Sequence, residues 1–296
     1  MTVPRVVLVT RPTELEALLA RHATRAQARF FLERRGQRIE ELEERHERFS
    51  AAMRTVSQAI PQKWRRARVT RPDLSRFVFE PSDLVVPVGQ DGLVANTAKY
   101  LAGQLVIGIN PDRARFDGVL VRHAPEHAEA LLAAAAAGRC EVQQRTLVEG
   151  VLDDGQRLLA LNEIFVGQRS HQSARYRLRV ADREERQSSS GILIATGTGS
   201  TGWAKSLQGE RRVQFELPHP EDARLAFFVR EAFPSLSTGV SLTGGLLGPG
   251  DHLEVISEMG EGGVVFGDGI EDDRIEFGWG VLIRVGIAER RLHLAQ

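Results

Sequence analysis

Apolar positions along the chain change rhythm twice. Residues 6–9 form a short β-branched run that predicts an opening strand. From 13 to 60 the spacing turns helical, with Leu15, Leu18 and Leu19, then Phe30, Phe31, Leu42 and Phe49, set among arginines and glutamates. Two near-continuous apolar runs follow at 83–88 and 104–109, a pattern that suits strands buried on both faces of a parallel sheet. The helix-sized stretch 93–102 between them makes a βαβ unit. The alanine-rich run 130–137, between Pro125 and Gly138, predicts one more helix. Beyond about residue 142 helical patterns nearly vanish. Strands are expected instead at 158–166, 175–180, 191–195, 225–229, 252–257, 263–266 and 275–286, separated by glycine, aspartate and proline turns. The polar stretch 187–190 reads as a connection.

This division predicts an N-terminal α/β domain over 1–112 and a β-rich domain over 113–280. Residues 281–296 form a C-terminal segment that can return to the first domain. A length of 296 residues fits two domains. Charge is balanced, with 39 basic and 39 acidic residues, so wrapping of nucleic acid is not expected. Only Lys63, Lys99 and Lys205 are lysines, and arginine supplies the rest of the positive charge. The single cysteine, Cys140, can form neither an internal disulfide nor a cysteine-based zinc site, which fits a reducing compartment such as the cytoplasm. No segment approaches the roughly 18 apolar residues of a membrane helix, and the run 6–9 is too short for a signal core. The charges of 40–47 read as a solvated helix face. Lys63, Arg65, Arg66, Arg68 and Arg71 read as basic surface ahead of a strand, with anion steering as the alternative.

Several familiar sites fall away. No Gly-Lys dipeptide is present, which excludes a Walker A loop. His123, Glu126 and His127 match a zinc-peptidase spacing, but Pro125 at the helix start leaves His123 off the helix, so no metal site is expected there. Gly197, Gly199 and Gly202 match G-x-G-x-x-G, deep in the β-rich half and not after the first strand. With Thr196, Thr198, Ser200 and Thr201 they read better as a glycine-and-hydroxyl loop approaching a polar ligand. Gly89, Gln90, Asp91 and Gly92 follow a buried strand, where α/β sheets present carboxylates to ligands. Asn162 and Glu163 interrupt an otherwise apolar strand, so one of them should face a core or cleft.

In order and approximate spacing, these three stretches resemble the NAD kinase family, whose signatures are a Gly-Gly-Asp-Gly loop, an Asn-Glu pair and a Thr-x-Thr-Gly-Ser loop. The similarity extends through Gly108–Asp112 and Ala160–Gly167. Gly197, Trp203 and the 229–231 segment look most like the mitochondrial-type branch and its bacterial relatives. The resemblance implies an NAD kinase-like fold with the active site in a cleft between an α/β domain and a β-sandwich. It implies transfer of a phosphoryl group from ATP, with Mg2+ or another divalent cation, to the 2′-hydroxyl of the adenosine ribose of NAD. Asp91 would be the catalytic carboxylate. Gly89, Gln90, Gly92, Asn162, Glu163, Thr196, Thr198, Gly199, Ser200 and Asp268 would bind nucleotide. Partners would be small nucleotides and further copies of the chain, with neither nucleic acid nor membrane. Two positions depart from the pattern: Gln90 stands where a glycine is usual, and Leu93 where a threonine is usual. Lys99 and Lys205, just past motif loops, are candidate phosphate partners. Other readings are a related kinase for another hydroxylated substrate (sugar, lipid or nucleotide), or a non-catalytic dinucleotide-binding protein.

Overall fold

The expected first strand forms as β1 (Arg5–Thr10), buried at every position but its first. In the computed structural model, which describes residues 3–211 and 215–296, the chain divides into two units: Met1–Gln143 with His293–Gln296, and Gln144–Leu292.

In the first unit the helical stretch resolves into α1 (Glu14–His22), α2 (Arg25–Glu33) and α3 (Ile39–Ala59). Thr13 caps α1 in a reciprocal box with Glu16, and the Thr24 side chain caps α2, which is why the pattern breaks at these threonines. The basic stretch is itself a strand, β2 (Arg65–Thr70), paired parallel to β1. It escaped the hydrophobic pattern because an edge strand needs few buried positions and tolerates arginine. Next come β3 (Leu84–Pro87), α4 (Asp91–Ala98) and β4 (Leu105–Val106). The parallel order is β2-β1-β3-β4. α4 begins ahead of the expected 93, so Asp91 and Gly92 lie in its first turn. A 3-10 turn at Pro125–His127 leads into α5 (Ala128–Ala136). Ala128 and Leu132 pack with Val6, Leu8, Val56 and Val86 in one core. That contact joins the segment beyond residue 112 to this unit, which therefore ends at Gln143.

The second unit is built from β5 (Val142–Leu152), β6 (Arg157–Ala160), β7 (Glu163–Gln168), β8 (Ala174–Val180), β9 (Arg183–Ser189) and β10 (Ile192–Ala195). After α6 (Trp203–Arg211) come β11 (Leu225–Val229), β12 (Gly244–Leu247), β13 (Leu253–Ser257), β14 (Gly263–Gly267), β15 (Ile275–Glu276) and β16 (Leu282–Ala295). One sheet runs β6-β5-β16-β13-β8-β9 and the other β12-β11-β10-β7-β14-β15. Side chains of both, among them Tyr176, Leu178 and Val255 from one and Ile164, Ile194 and Phe227 from the other, share one core. The arrangement is a sandwich. The outer face of β10 and β11 is covered in turn by Ala204 and Leu207 of α6. Burial on both faces explains why these strands read as unbroken apolar runs.

Three expectations change here. The 158–166 strand is two strands in different sheets, β6 and β7, with Leu161 and Asn162 at the break. The 275–286 strand divides into β15 and β16. The polar 187–190 stretch is not a connection, because Gln187 and Ser189 belong to β9 and point inward. Each meets the buried hydroxyl of Tyr176, at 3.2 and 2.6 Å, so the strand buries polar groups with a partner. Near the end of β16, His293 and Leu294 pair in parallel with Leu105 and Val106 of the first unit's sheet.

Candidate functional site

The chemistry divides between the two units. In the first, Asp91 opens α4 at the carboxyl end of β3, where negative charge is favoured by the helix dipole. One carboxylate oxygen, Oδ1, accepts the backbone N–H groups of Leu120 at 2.8 Å and Val121 at 3.0 Å. The other, Oδ2, accepts that of Val119 at 2.9 Å. The motif carboxylate thus anchors a segment nearly thirty residues away. Asn110 shapes the approach to that segment by donating to the Phe116 carbonyl and accepting the Asp112 N–H. The Gln90 side chain does not fill the loop, since its Oε1 accepts from Arg11 Nη2 at 2.9 Å. Leu93 points into the core at 3% exposure. Gly89 N–H donates to the Ile109 carbonyl and Gly92 is exposed, so the glycines serve the loop's path.

In the second unit the break between β6 and β7 is held from across the chain. Asp268, in the left-handed region at φ 54°, accepts Leu161 N–H and Asn162 N–H on its two carboxylate oxygens at 3.1 and 2.7 Å. Its own N–H returns to the Glu163 carbonyl at 3.0 Å. The Asp268 carboxylate, a candidate for nucleotide binding, thus holds the backbone of Leu161 and Asn162 in place. Glu163 is mostly buried, and that burial together with the neighbouring Asp268 carboxylate pushes its carboxyl up to about 7.

The Thr-Gly-Thr-Gly-Ser loop is attached to the same break. The Thr196 N–H donates to the Asn162 carbonyl at 2.9 Å, and its hydroxyl donates to the Leu161 carbonyl. That hydroxyl also accepts from Thr198 and Gly199 N–H. A Cβ on Gly199 would sit 2.2 Å from the Asn162 carbonyl oxygen, and one on Gly197 would sit 1.8 Å from that of His219. Only glycine permits these approaches. Ser200 Oγ donates to the Thr196 carbonyl, and Thr198 Oγ1 accepts from Arg145 Nη1 at 3.4 Å. The loop hydroxyls are therefore engaged by Leu161, by Arg145 and by the loop's own carbonyls, and Thr196 is fully buried. Arg145, 1% exposed, was missed by sequence reasoning. Its only signal was an arginine inside a strand, which charge statistics assign to the surface.

Of the two candidate lysines, Lys99 places its Nζ 5.8 Å from the Tyr100 ring centroid, and Lys205 is exposed on α6. His123 Nε2 lies 3.2 Å from the Ala295 carbonyl, and burial holds its ring below the usual histidine range.

No family model matches the chain. Curated relatives do. An NAD kinase of Teredinibacter turnerae is 33% identical over 145 residues, 46% of this chain and 47% of that protein. One of Methylococcus capsulatus is 34% identical over 148 residues, 47% and 49% of the two chains. The chain thus spans about half the length of the curated relatives it matches. A solved NAD kinase from Archaeoglobus fulgidus, in complex with ATP, shares the fold over 99% of this chain and 93% of its own, with a TM-score of 0.60 at 21% identity. Over about half its length the chain is similar to curated NAD kinases. All three stretches that carry the resemblance lie on connected local frameworks. Asp91 is bound to 119–121 in one unit, and Asn162–Glu163 is bound to both Asp268 and the Thr196–Ser200 loop in the other.

Proposed function

We propose that the protein is an ATP-dependent kinase that phosphorylates the 2′-hydroxyl of the adenosine ribose of NAD to give NADP. The observation that carries the reading is the junction at Asn162. One backbone turn is held by the Asp268 carboxylate, by the Thr196 N–H and by the close approach of Gly199. Two signature stretches that lie apart in sequence thereby form one preorganised surface for a dinucleotide.

In this reading the ribose 2′-oxygen bonds to the γ-phosphorus as the bond to ADP breaks, and the hydroxyl proton passes to a carboxylate. Asp91 suits that contact. An ionised carboxylate has about four acceptor positions, and three here take backbone N–H groups, which fixes the side chain and leaves one for a substrate hydroxyl. Gln90 turned onto Arg11 keeps the loop's backbone accessible to donor phosphates and supports a kinase over a protein that only binds dinucleotide. Among the described residues no group of three or more histidine, cysteine, aspartate or glutamate side chains converges on a point. In this reading a divalent cation arrives on the donor's phosphates.

Membership of the mitochondrial-type branch, a cytoplasmic location and homo-oligomerisation belong to the same proposal. Light scattering after size exclusion tests the last, and a monomer across the micromolar range would refute it. Among the described residues no helix is long and apolar enough to cross a membrane. The activity test is incubation with ATP, magnesium and NAD, following NADP. Asp91→Asn is expected to reduce the rate by about 10²–10⁴-fold with the chain still folded. NAD binding without NADP formation by the parent protein would overturn the kinase reading.

A further inference from the structure

Charge on the N-terminal helices is mostly matched. Arg25 pairs with Glu43, Arg29 with Glu40 and Arg45 with Glu14. Arg21, Arg34 and Arg35 have no carboxylate partner among the described residues, and their guanidiniums lie over aromatic rings instead. Arg35 is 3.7 Å and Arg21 5.8 Å from the centroid of Phe31, and Arg34 is 5.6 Å from that of Phe30. The His22 ring stands 4.5 Å from Phe31, and its buried Nε2 has no hydrogen-bond partner among the described residues.

The arrangement follows from helix geometry. Positions 30, 31, 34 and 35 fall on one stripe of α2 and the turn after it, while Ala28 and Leu32 on the other side are buried against α1 and α3. Phe30 remains 62% exposed. With the last turn of α1, the stripe encloses an open cleft of about 1060 Å3. Isolated surface phenylalanines are ordinary. Here an exposed ring, three unmatched guanidiniums and an unpartnered imidazole nitrogen converge on one hollow.

We propose that this cleft is a second ligand site, separate from the signature loops, which takes a nucleoside di- or triphosphate. Guanidinium forks receive phosphate oxygens in paired hydrogen bonds, and three of them with no internal carboxylate favour an anion of several charges. The exposed face of Phe30 offers a stacking surface for a base, as aromatic side chains do where bases bind without sequence readout. A hollow of this size is more than a lone phosphate needs and is at the scale of small-molecule sites, roughly 300–1000 Å3.

The test is photo-crosslinking of the full chain with 8-azido-ADP, with the labelled peptides mapped by mass spectrometry. Label is expected within 21–35, competed by ADP and reduced about tenfold or more in Arg34→Gln/Arg35→Gln, while label on the 160–200 segment is unchanged. Phe30→Ala should weaken competition by ADP about tenfold and leave competition by inorganic tripolyphosphate unaltered. Circular dichroism confirms that these surface variants fold, and Arg34→Gln alone serves if the double variant does not. Absence of label within 21–35 at millimolar probe overturns the site. Label indifferent to the arginines, or to Phe30, overturns the assignment of phosphate or base. Arginine-dependent flotation on phosphatidylserine vesicles without ADP competition makes the cleft a lipid contact and overturns it as well.

Discussion

Glu163 is a carboxyl group whose surroundings favour the proton. Its folded value of about 7 exceeds the ordinary 4.5, so between those values the folded chain holds a proton that the unfolded chain releases. The stability from that proton is present in full below about pH 4.5 and is lost as pH rises through about 7. The magnitude is on the order of 3 kcal/mol. Glu163→Gln, which keeps the shape without the charge, should match the parent in urea unfolding at about pH 5 and exceed it by about that amount at about pH 8. An equal pH dependence in both proteins would remove Glu163 as its source. Asp91 and Glu163 were legible in the sequence because a carboxylate beside glycine, or inside an apolar run, is conspicuous. The clamp by Asp268 was not, since its partners lie 107 and 106 positions away. Arg145 was hidden for the same reason, because nothing near it in the chain marks Thr198 as its neighbour.

The Thr196–Ser200 loop shows how an element depends on a backbone contact that composition does not display. Gly199→Ala would drive a methyl group to 2.2 Å from a carbonyl oxygen already fixed by the Thr196 N–H. It should cost about 3 kcal/mol in chemical unfolding and, if the proposed kinase activity holds, raise the KM for NAD. Gly209 is the contrasting case, exposed on α6 with nothing within 4 Å of an added Cβ. Gly209→Ala should stabilise by about 0.5–1 kcal/mol and leave the KM alone. Two losses of equal size would mean that helix and loop respond to the methyl group for some common reason and that the Asn162 contact is not decisive. Strands were readable where two buried faces gave unbroken apolar runs, as in β3, β10 and β11. Among the strands missed, which include β5 and β12, β2 and β9 form where edge position or internal hydrogen bonding replaced hydrophobicity as the reason for the strand.

For the molecule as a whole, the division into two units follows packing more closely than composition. Helical pattern ends near 142, and Leu132 of α5 is buried in the first unit's core, so the unit extends to Gln143. The final residues also belong to it: Leu294 and Ala295 are each 1% exposed, and Leu294 pairs with Val106. Deleting 293–296 should therefore destabilise the first unit by about 2–3 kcal/mol, from lost burial of Leu294 and its strand pairing. Hydrogen exchange should show the loss concentrated at β3 and β4, and protection there equal to that of the parent would show that these residues hold nothing. Periodicity, glycine spacing and three ordered motifs by themselves determined the α/β-then-β division, the family resemblance and the choice of Asp91, Asn162 and Glu163 as candidates, because these are properties of neighbours along the chain. Only the tertiary structure decided that Asp268 clamps and Arg145 supports, that the loop hydroxyls turn inward, and that three arginines with no carboxylate partner among the described residues stand around a cleft. Those facts depend on which distant groups meet, and meeting is set by packing.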